Sequence, residues 1–475
     1  MTAGDTFDAI ILGGGPGGEV ALNTLAKEGL RIALVEGELI GGECSNWGCI
    51  PTKTLLRPTE LQGKAMRAAG VMTPGLEWPE LSAYRDYMVS NHDDSKKVAR
   101  YEERGITVVK EWGRIAGPGR VDANGRVLEG EAIIVATGSE AVVPPIPGLA
   151  EAGYWTNREA TELTEIPESA VVIGGGAVGI ERAHFLARFG SRVTLGQGAE
   201  RLAEREAPDI GDYLYEILAG DGIDIRLGSQ AQAVRRDGGE RVVELVDGSE
   251  AGGEIVIVAV GRRPRTQGIG LETVDIEPTR RGITVDDRCR AQDGVWAIGD
   301  VTGIAAFTHV AKYQGRIAAT DILGRPAKAD YRAVPRVTFT DPEVAAVGIT
   351  TEEDARAQGF EPLSVVIDLP SSIARPYTFQ EKPHGKFGVV VDSKRDVMIG
   401  AWAVAPLASE WIHTAVLAVR AEIPVPVLKD TIAQFPTFSE AFGAALRALP
   451  NGTPGTMMDH LAHPMMKAEL EEARS

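Results

Sequence analysis

Cysteine is nearly absent: 475 residues carry only Cys44, Cys49 and Cys289. Three thiols exclude a disulfide-stapled secreted scaffold and a four-cysteine zinc site, and no metal is expected. Positive charge is also short, with Lys plus Arg at 49 against Asp plus Glu at 67, a formal net charge of −18. That deficit argues against nucleic acid or an anionic membrane as a partner. Long apolar runs are missing too. Stretches such as Ile133–Val135 and Ile255–Val260 fall far below the roughly 18 residues that span a bilayer. The opening MTAGDTFDAIILGGG lacks the basic start and small-residue cleavage site of a signal peptide. The expected location is therefore the cytoplasm, where ordinary thiols stay reduced. Against that scarcity, two cysteines enclosing four residues need a chemical reason.

What is present is ordinary for a globular chain, 44% hydrophobic and 24% charged, with 56 glycines. The length allows about three domains. Asp8–Leu12 reads as a buried strand, followed by Gly13, Gly15 and Gly18. Val20, Leu22, Leu25 and Ala26 then recur at helical spacing up to Gly29, and Arg31–Val35 is a second strand ending at Glu36. The same grammar returns at Val171–Ile173, with Gly174, Gly176 and Gly179, a helix to about Gly190, and a strand at Arg192–Leu195. Repeated strand–helix–strand units imply parallel sheets covered by helices. Val142–Gly148, with three prolines, reads as a linker, and a second break falls at Gly261-Arg262-Arg263-Pro264. After about residue 335 the pattern becomes α+β without a glycine fingerprint. Strands are expected at Ser364–Asp368, Gly388–Val391 and Met398–Val404, and helices at Glu410–Arg420 and Phe438–Leu446.

Gly13-x-Gly15-x-x-Gly18 between strand and helix, with Glu36 closing the next strand, is the context of a dinucleotide site. The glycines let backbone approach a pyrophosphate, the helix N-terminus carries partial positive charge, and the acid accepts from a ribose hydroxyl. One copy is also compatible with a plain tight turn; two copies suggest two dinucleotides, a flavin and a nicotinamide. In the second copy, Gly174-x-Gly176-x-x-Gly179, the acid's place is taken by Gln197. A 2′-phosphate is then not repelled, which leans the expectation toward NADPH over NADH. Arg201 is near enough in sequence to meet that phosphate, or equally to be a solvated surface residue.

The cysteine pair stands in Gly41-Gly42-Glu43-Cys44-Ser45-Asn46-Trp47-Gly48-Cys49-Ile50-Pro51-Thr52-Lys53. Here the chain resembles the FAD-dependent pyridine nucleotide–disulfide oxidoreductases, a family that includes dihydrolipoamide dehydrogenase, glutathione reductase and mercuric reductase. The resemblance extends through Ala136-Thr137-Gly138, both fingerprints, Gly261-Arg262-Arg263-Pro264 and Val295-Trp296-Ala297-Ile298-Gly299-Asp300. It implies an α/β fold with two Rossmann-like dinucleotide-binding domains and a C-terminal α+β dimerisation domain. The expected boundaries are 1–150 for FAD, 151–275 for NAD(P), 276–335 returning to the FAD domain, and 336–475 for the dimer interface. It also implies bound FAD and NAD(P)H, a homodimer, and a small-molecule electron acceptor, a disulfide or a quinone.

By the same resemblance, Cys49 faces the flavin and Cys44 meets the substrate, while Lys53 pairs with Glu181 near the flavin. Gly42, Thr137, Gly138 and Gly261 join the fingerprint glycines around the cofactors, and Asp300 accepts from the flavin's ribityl chain, although alone it reads equally as a turn residue. The helix starting near Thr308–His309 aims its N-terminus at the flavin. Cys289 matches no redox position and is expected to be structural.

The closing motif departs from the family. Most disulfide reductases there carry a His followed by Pro, with Glu five residues after the His. Here the stretch is Gln434-Phe435-Pro436-Thr437-Phe438-Ser439-Glu440, so Glu440 is present and Phe435 takes the histidine's place. A positioned base is typically worth about 10²–10⁴-fold, so dihydrolipoamide oxidation should suffer. Mercuric reductases resemble this chain in having an aromatic there, but they also carry a C-terminal cysteine pair that this sequence does not have. The expectation is an NAD(P)H:disulfide oxidoreductase acting on a small disulfide, with quinone, dye or metal-ion reduction as the alternative. A substitute base from His460 or His463 competes with a plain solvated tail. Trp47 either narrows access to Cys44 or packs.

Overall fold

A computed structural model describes residues 5–450. The first sheet orders its strands Arg290–Gln292, Val295–Ala297, Arg126–Val135, Thr6–Leu12, Ile32–Val35, Thr107–Val109. All contacts from Val295–Ala297 across to Thr107–Val109 are parallel. Ile32–Val35 is buried at every position, which is why it reads as an unbroken apolar run rather than an alternation. The Pro16–Lys27 helix follows the first strand, with Pro at its first turn, where a missing N–H has no consequence.

The second sheet repeats this construction with Asp224–Arg226, Arg192–Gly196, Ser169–Ile173 and Ile255–Val258, all parallel. An antiparallel ribbon, Ala231–Asp237, Glu240–Leu245 and Glu250–Gly253, is added to it. The third sheet is five-stranded and antiparallel, in the order Pro335–Thr338, Glu343–Gly348, Val397–Ala405, Lys386–Asp392, Pro362–Asp368. Phe387 anchors its core edge-on to Trp411 and Phe442, at centroid distances of 5.3 and 4.8 Å.

Three readings change. The break at Gly261–Pro264 contains a strand: Arg262–Pro264 pairs antiparallel with Ser139–Ala141, so the outgoing and returning connections form one ribbon. The chain re-enters the first core before residue 276, because Leu271 and Val274 pack with Ile115 and Val295, and the Ile115 N–H donates to the Ile269 carbonyl. The expected Glu410–Arg420 helix is two, Ala408–Trp411 and His413–Arg420, and the helix expected at Phe438–Leu446 runs Glu440–Arg447. Among the described residues no helix is long and apolar enough to cross a membrane.

Candidate active site

A cavity of about 1420 Å³ runs between the first two sheets. Its walls include Gly13, Gly15, Glu36, Gly42, Cys44, Cys49, Lys53, Thr137, Gly138, Glu181 and Asp300. The two fingerprint turns are built alike. A Cβ on Gly18 would overlap the Gly13 carbonyl, and one on Gly179 would overlap the Gly174 carbonyl, so helix and strand meet closely only with glycine there. The acids' positions are also alike. Glu36 accepts from the Gly14 N–H at 2.6 Å and from the Glu38 N–H at 2.7 Å. Gln197 accepts from the Gly175 N–H at 2.9 Å, and its Nε2 donates to the Arg201 carbonyl at 3.3 Å. Burial raises the Glu36 pKa against those two donors. The Arg201 side chain is exposed.

The first turn fits FAD on geometry. A Cβ on Gly42 would press on the Gly15 Cα, so both residues have backbone close to the space a pyrophosphate needs. The second turn fits a nicotinamide dinucleotide, since nothing in the protein lies within 4 Å of a Cβ placed on Gly176 or Gly261. Asp300 is held by Ser139 Oγ at 2.6 Å, and Ser139 is held in turn by Arg262 Nε at 2.8 Å. Thr137 donates to the Arg265 carbonyl at 2.8 Å, which ties that turn to the returning ribbon.

The thiols lie on consecutive helices, Cys44 in Gly42–Asn46 and Cys49 opening Cys49–Arg67. Both are half-buried and are not joined in a disulfide. The Cys44 thiol gives its hydrogen bond to Cys49, which lowers Cys49 to a pKa of about 6. Burial opposes that shift, while Thr308 Oγ1, 3.3 Å from Cys49 Sγ, and the Lys53 charge support it. Cys44 is correspondingly raised, by that shared proton first and by burial second. Lys53 Nζ is 2.8 Å from Glu181 Oε2, and Glu181 also accepts from the Phe339 N–H at 2.9 Å. Thr308 opens the Thr308–Ile322 helix, whose first turn has no side-chain cap. Its unpaired N–H groups therefore bring partial positive charge to the cavity.

Trp47 packs instead of gating. It is 9% exposed, donates through Nε1 to Glu162 at 2.6 Å, and lies beneath the Arg158 guanidinium at 4.1 Å. Asn157 and Thr161 reach its carbonyl, so the turn between the cysteines is gripped by residues 157–162. Cys289 is fully buried, and burial pushes its thiol up to about 12. Phe435 is 64% exposed on the third domain's surface, and Glu440 accepts from the Thr437 N–H at 3.0 Å. His460 and His463 lie outside the described residues. Ser139, Arg158, Arg182 and Phe339 had no sequence signal. Each enters through tertiary contact with a distant segment, which spacing along the chain does not encode. Thr308 was visible as a helix start, but its hydroxyl contact with Cys49 was not.

Residues 7–315 match the model of the pyridine nucleotide-disulphide oxidoreductase family, and residues 334–446 match that family's dimerisation domain. A dihydrolipoyl dehydrogenase of Thermus scotoductus is 34% identical over 456 residues, covering 94% of this chain and 97% of the other. A mercuric reductase of Staphylococcus aureus is 32% identical over 453 residues, covering 93% and 82%. Among solved structures, the HOCl-induced flavoprotein disulfide reductase RclA of Escherichia coli superimposes with a TM-score of 0.82 at 29% identity, covering 93% and 99%.

Proposed function

The chain belongs to the pyridine nucleotide-disulphide oxidoreductase family as a flavin-dependent NAD(P)H:disulfide oxidoreductase, and from that premise we propose that its acceptor is a small disulfide whose thiols leave easily. One observation carries this reading: Phe435 occupies the place of the base, and the loop it stands in offers a carboxylate, Glu440, but no imidazole. Bound FAD would pass electrons from NAD(P)H to the cysteine pair. The protein's part is then to hold and move one proton.

In the reduced pair the proton sits on Cys44 and the charge on Cys49. The proton passes to Cys49, Cys44 attacks the disulfide RSSR, and one thiolate leaves. Cys49 then closes on Cys44 and releases the second thiol with the shared proton. Two electrons and one proton leave the enzyme, giving RS⁻ and RSH. Cys49 thus takes the proton from Cys44 in this step, and the first thiolate leaves unprotonated. Rates must then depend steeply on the leaving thiol's pKa. Dihydrolipoamide oxidation, which requires deprotonation of alkyl thiols, is disfavoured for the same reason.

A second reading shares the observation. Metal ions and quinones need no proton shuttle, and the similar RclA is described in a Cu(II) complex. The deciding experiment is steady-state turnover with NADPH and with NADH against disulfides of graded leaving-thiol pKa, lipoamide, Cu(II) and a quinone. A steep fall in rate from aromatic to alkyl disulfides is expected, with NADPH preferred. A flat series with fast lipoamide turnover overturns the reading; Cu(II) or quinone turnover exceeding every disulfide favours the second.

A further inference from the structure

One buried cation plays no part in the chemistry above. Arg182 follows Glu181 on the Ala177–Arg188 helix, lines the same cavity and is 2% exposed. Its Nη2 donates to Thr52 Oγ1 at 2.7 Å. Among the described residues its Nε and Nη1 have no hydrogen-bond partner, and both are closed off from solvent. Burial lowers its pKa only to about 10, with Glu181 working in the other direction, so it is charged at neutral pH. A buried guanidinium with two unpaired nitrogens is destabilising, and a methionine would fill a comparable space without that cost. The charge therefore has a use other than packing.

Two connections lead from it to the cysteines. Glu181 precedes Arg182 on the helix and is paired with Lys53 at 2.8 Å, so these three groups together keep one net positive charge. The Thr52 hydroxyl that accepts from Arg182 donates to the Gly48 carbonyl at 2.5 Å, directly before Cys49. We propose that Arg182 is a positioning residue that holds the start of the Cys49 helix through Thr52 and adds an uncompensated positive charge beside the Lys53–Glu181 pair, so favouring the Cys49 thiolate. Its value to turnover rests on the reading of Cys44 and Cys49 as a redox pair. A reduced form stabilised by charge is also a stronger oxidant as a disulfide, because the anion exists only after reduction.

The test titrates Cys49 in the Cys44→Ser background, by thiolate absorbance and by the pH profile of alkylation, with Arg182, Arg182→Met and Arg182→Lys. Arg182→Met should raise Cys49 proton affinity about tenfold, while Arg182→Lys keeps most of the effect. With both cysteines present, the same tenfold change lowers the potential of the pair by about 30 mV. The melting temperature of Arg182→Met should match or exceed that of the parent, since an unpaired buried charge has gone. An unchanged Cys49 titration, or an equal shift in the Met and Lys variants, overturns the proposal. If Arg182→Met fails to fold, Arg182→Gln against Arg182→Lys decides in the same way. The redox-pair reading is tested separately, by counting thiols in the wild-type protein before and after NAD(P)H. No gain of two thiols refutes that reading and leaves the titration decisive for Arg182.

Discussion

At Cys49 a single proton decides reactivity. Its thiol is held near 6 because Cys44 donates to it, with Thr308 and Lys53 adding to the effect. The folded-state value is depressed, so the thiolate is present above about pH 6 and lost as pH falls through it. Alkylation of the reduced protein at Cys49 should therefore titrate near that value and well below an ordinary cysteine; a midpoint above 8 contradicts the geometry. Phe435→His should raise dihydrolipoamide turnover, up to about 10²-fold, because it restores a base to the closing loop. No gain in steady-state assays means that Phe435 does not face the dithiol. Gln197→Glu should move the ratio of kcat/KM for NADPH over NADH toward NADH, since a carboxylate repels a 2′-phosphate. An unmoved ratio removes Gln197 from nucleotide selection.

Elements place these groups by their ends and their turns. The Thr308–Ile322 helix brings an uncapped first turn and one hydroxyl to Cys49, so position along the chain translates directly into charge at a sulfur. The turn between the cysteines is held differently, by Trp47 under Arg158 and against Glu162. Trp47→Ala removes a buried indole and two polar anchors, and should cost about 3–5 kcal/mol in urea unfolding. A loss below about 1 kcal/mol would mean that the indole is not held as described. The fingerprint strands and helices were legible because buried parallel strands are continuous apolar runs and the glycines punctuate them. The strands Pro335–Thr338 and Glu343–Gly348 were not legible. Prolines at 335 and 342 and the mixed run between them give no clean period, and the strand Val397–Ala405, which pairs with Glu343–Gly348, is far along the chain.

For the whole molecule, the third domain leaves Ile432 at 96%, Phe435 at 64% and Leu417 at 55% exposure in a single chain. Exposed apolar side chains of that kind suit the dimerisation domain matched over residues 334–446. Sedimentation should give a homodimer, and Ile432→Glu should shift it toward monomer. If the closing loop works on the partner's cysteines, disulfide turnover falls with dimer content while NAD(P)H-dependent dye reduction persists. A monomeric variant with full disulfide turnover refutes that arrangement.

The order of the chain alone determined two glycine fingerprints and the close cysteine pair, because each is a local pattern of a few residues; Phe435 is a departure only against the family resemblance. It also carried Lys53 and Glu181, but only through resemblance, since 127 residues separate them and no spacing rule joins them. Only the tertiary structure decided the rest. It aimed the Cys44 thiol at Cys49, turned Trp47 inward, and buried Arg182 next to Glu181 with two of its nitrogens unpartnered among the described residues. Charge and proton affinity depend on what surrounds a group in three dimensions and on how far water is excluded, and neither is written in sequence distance.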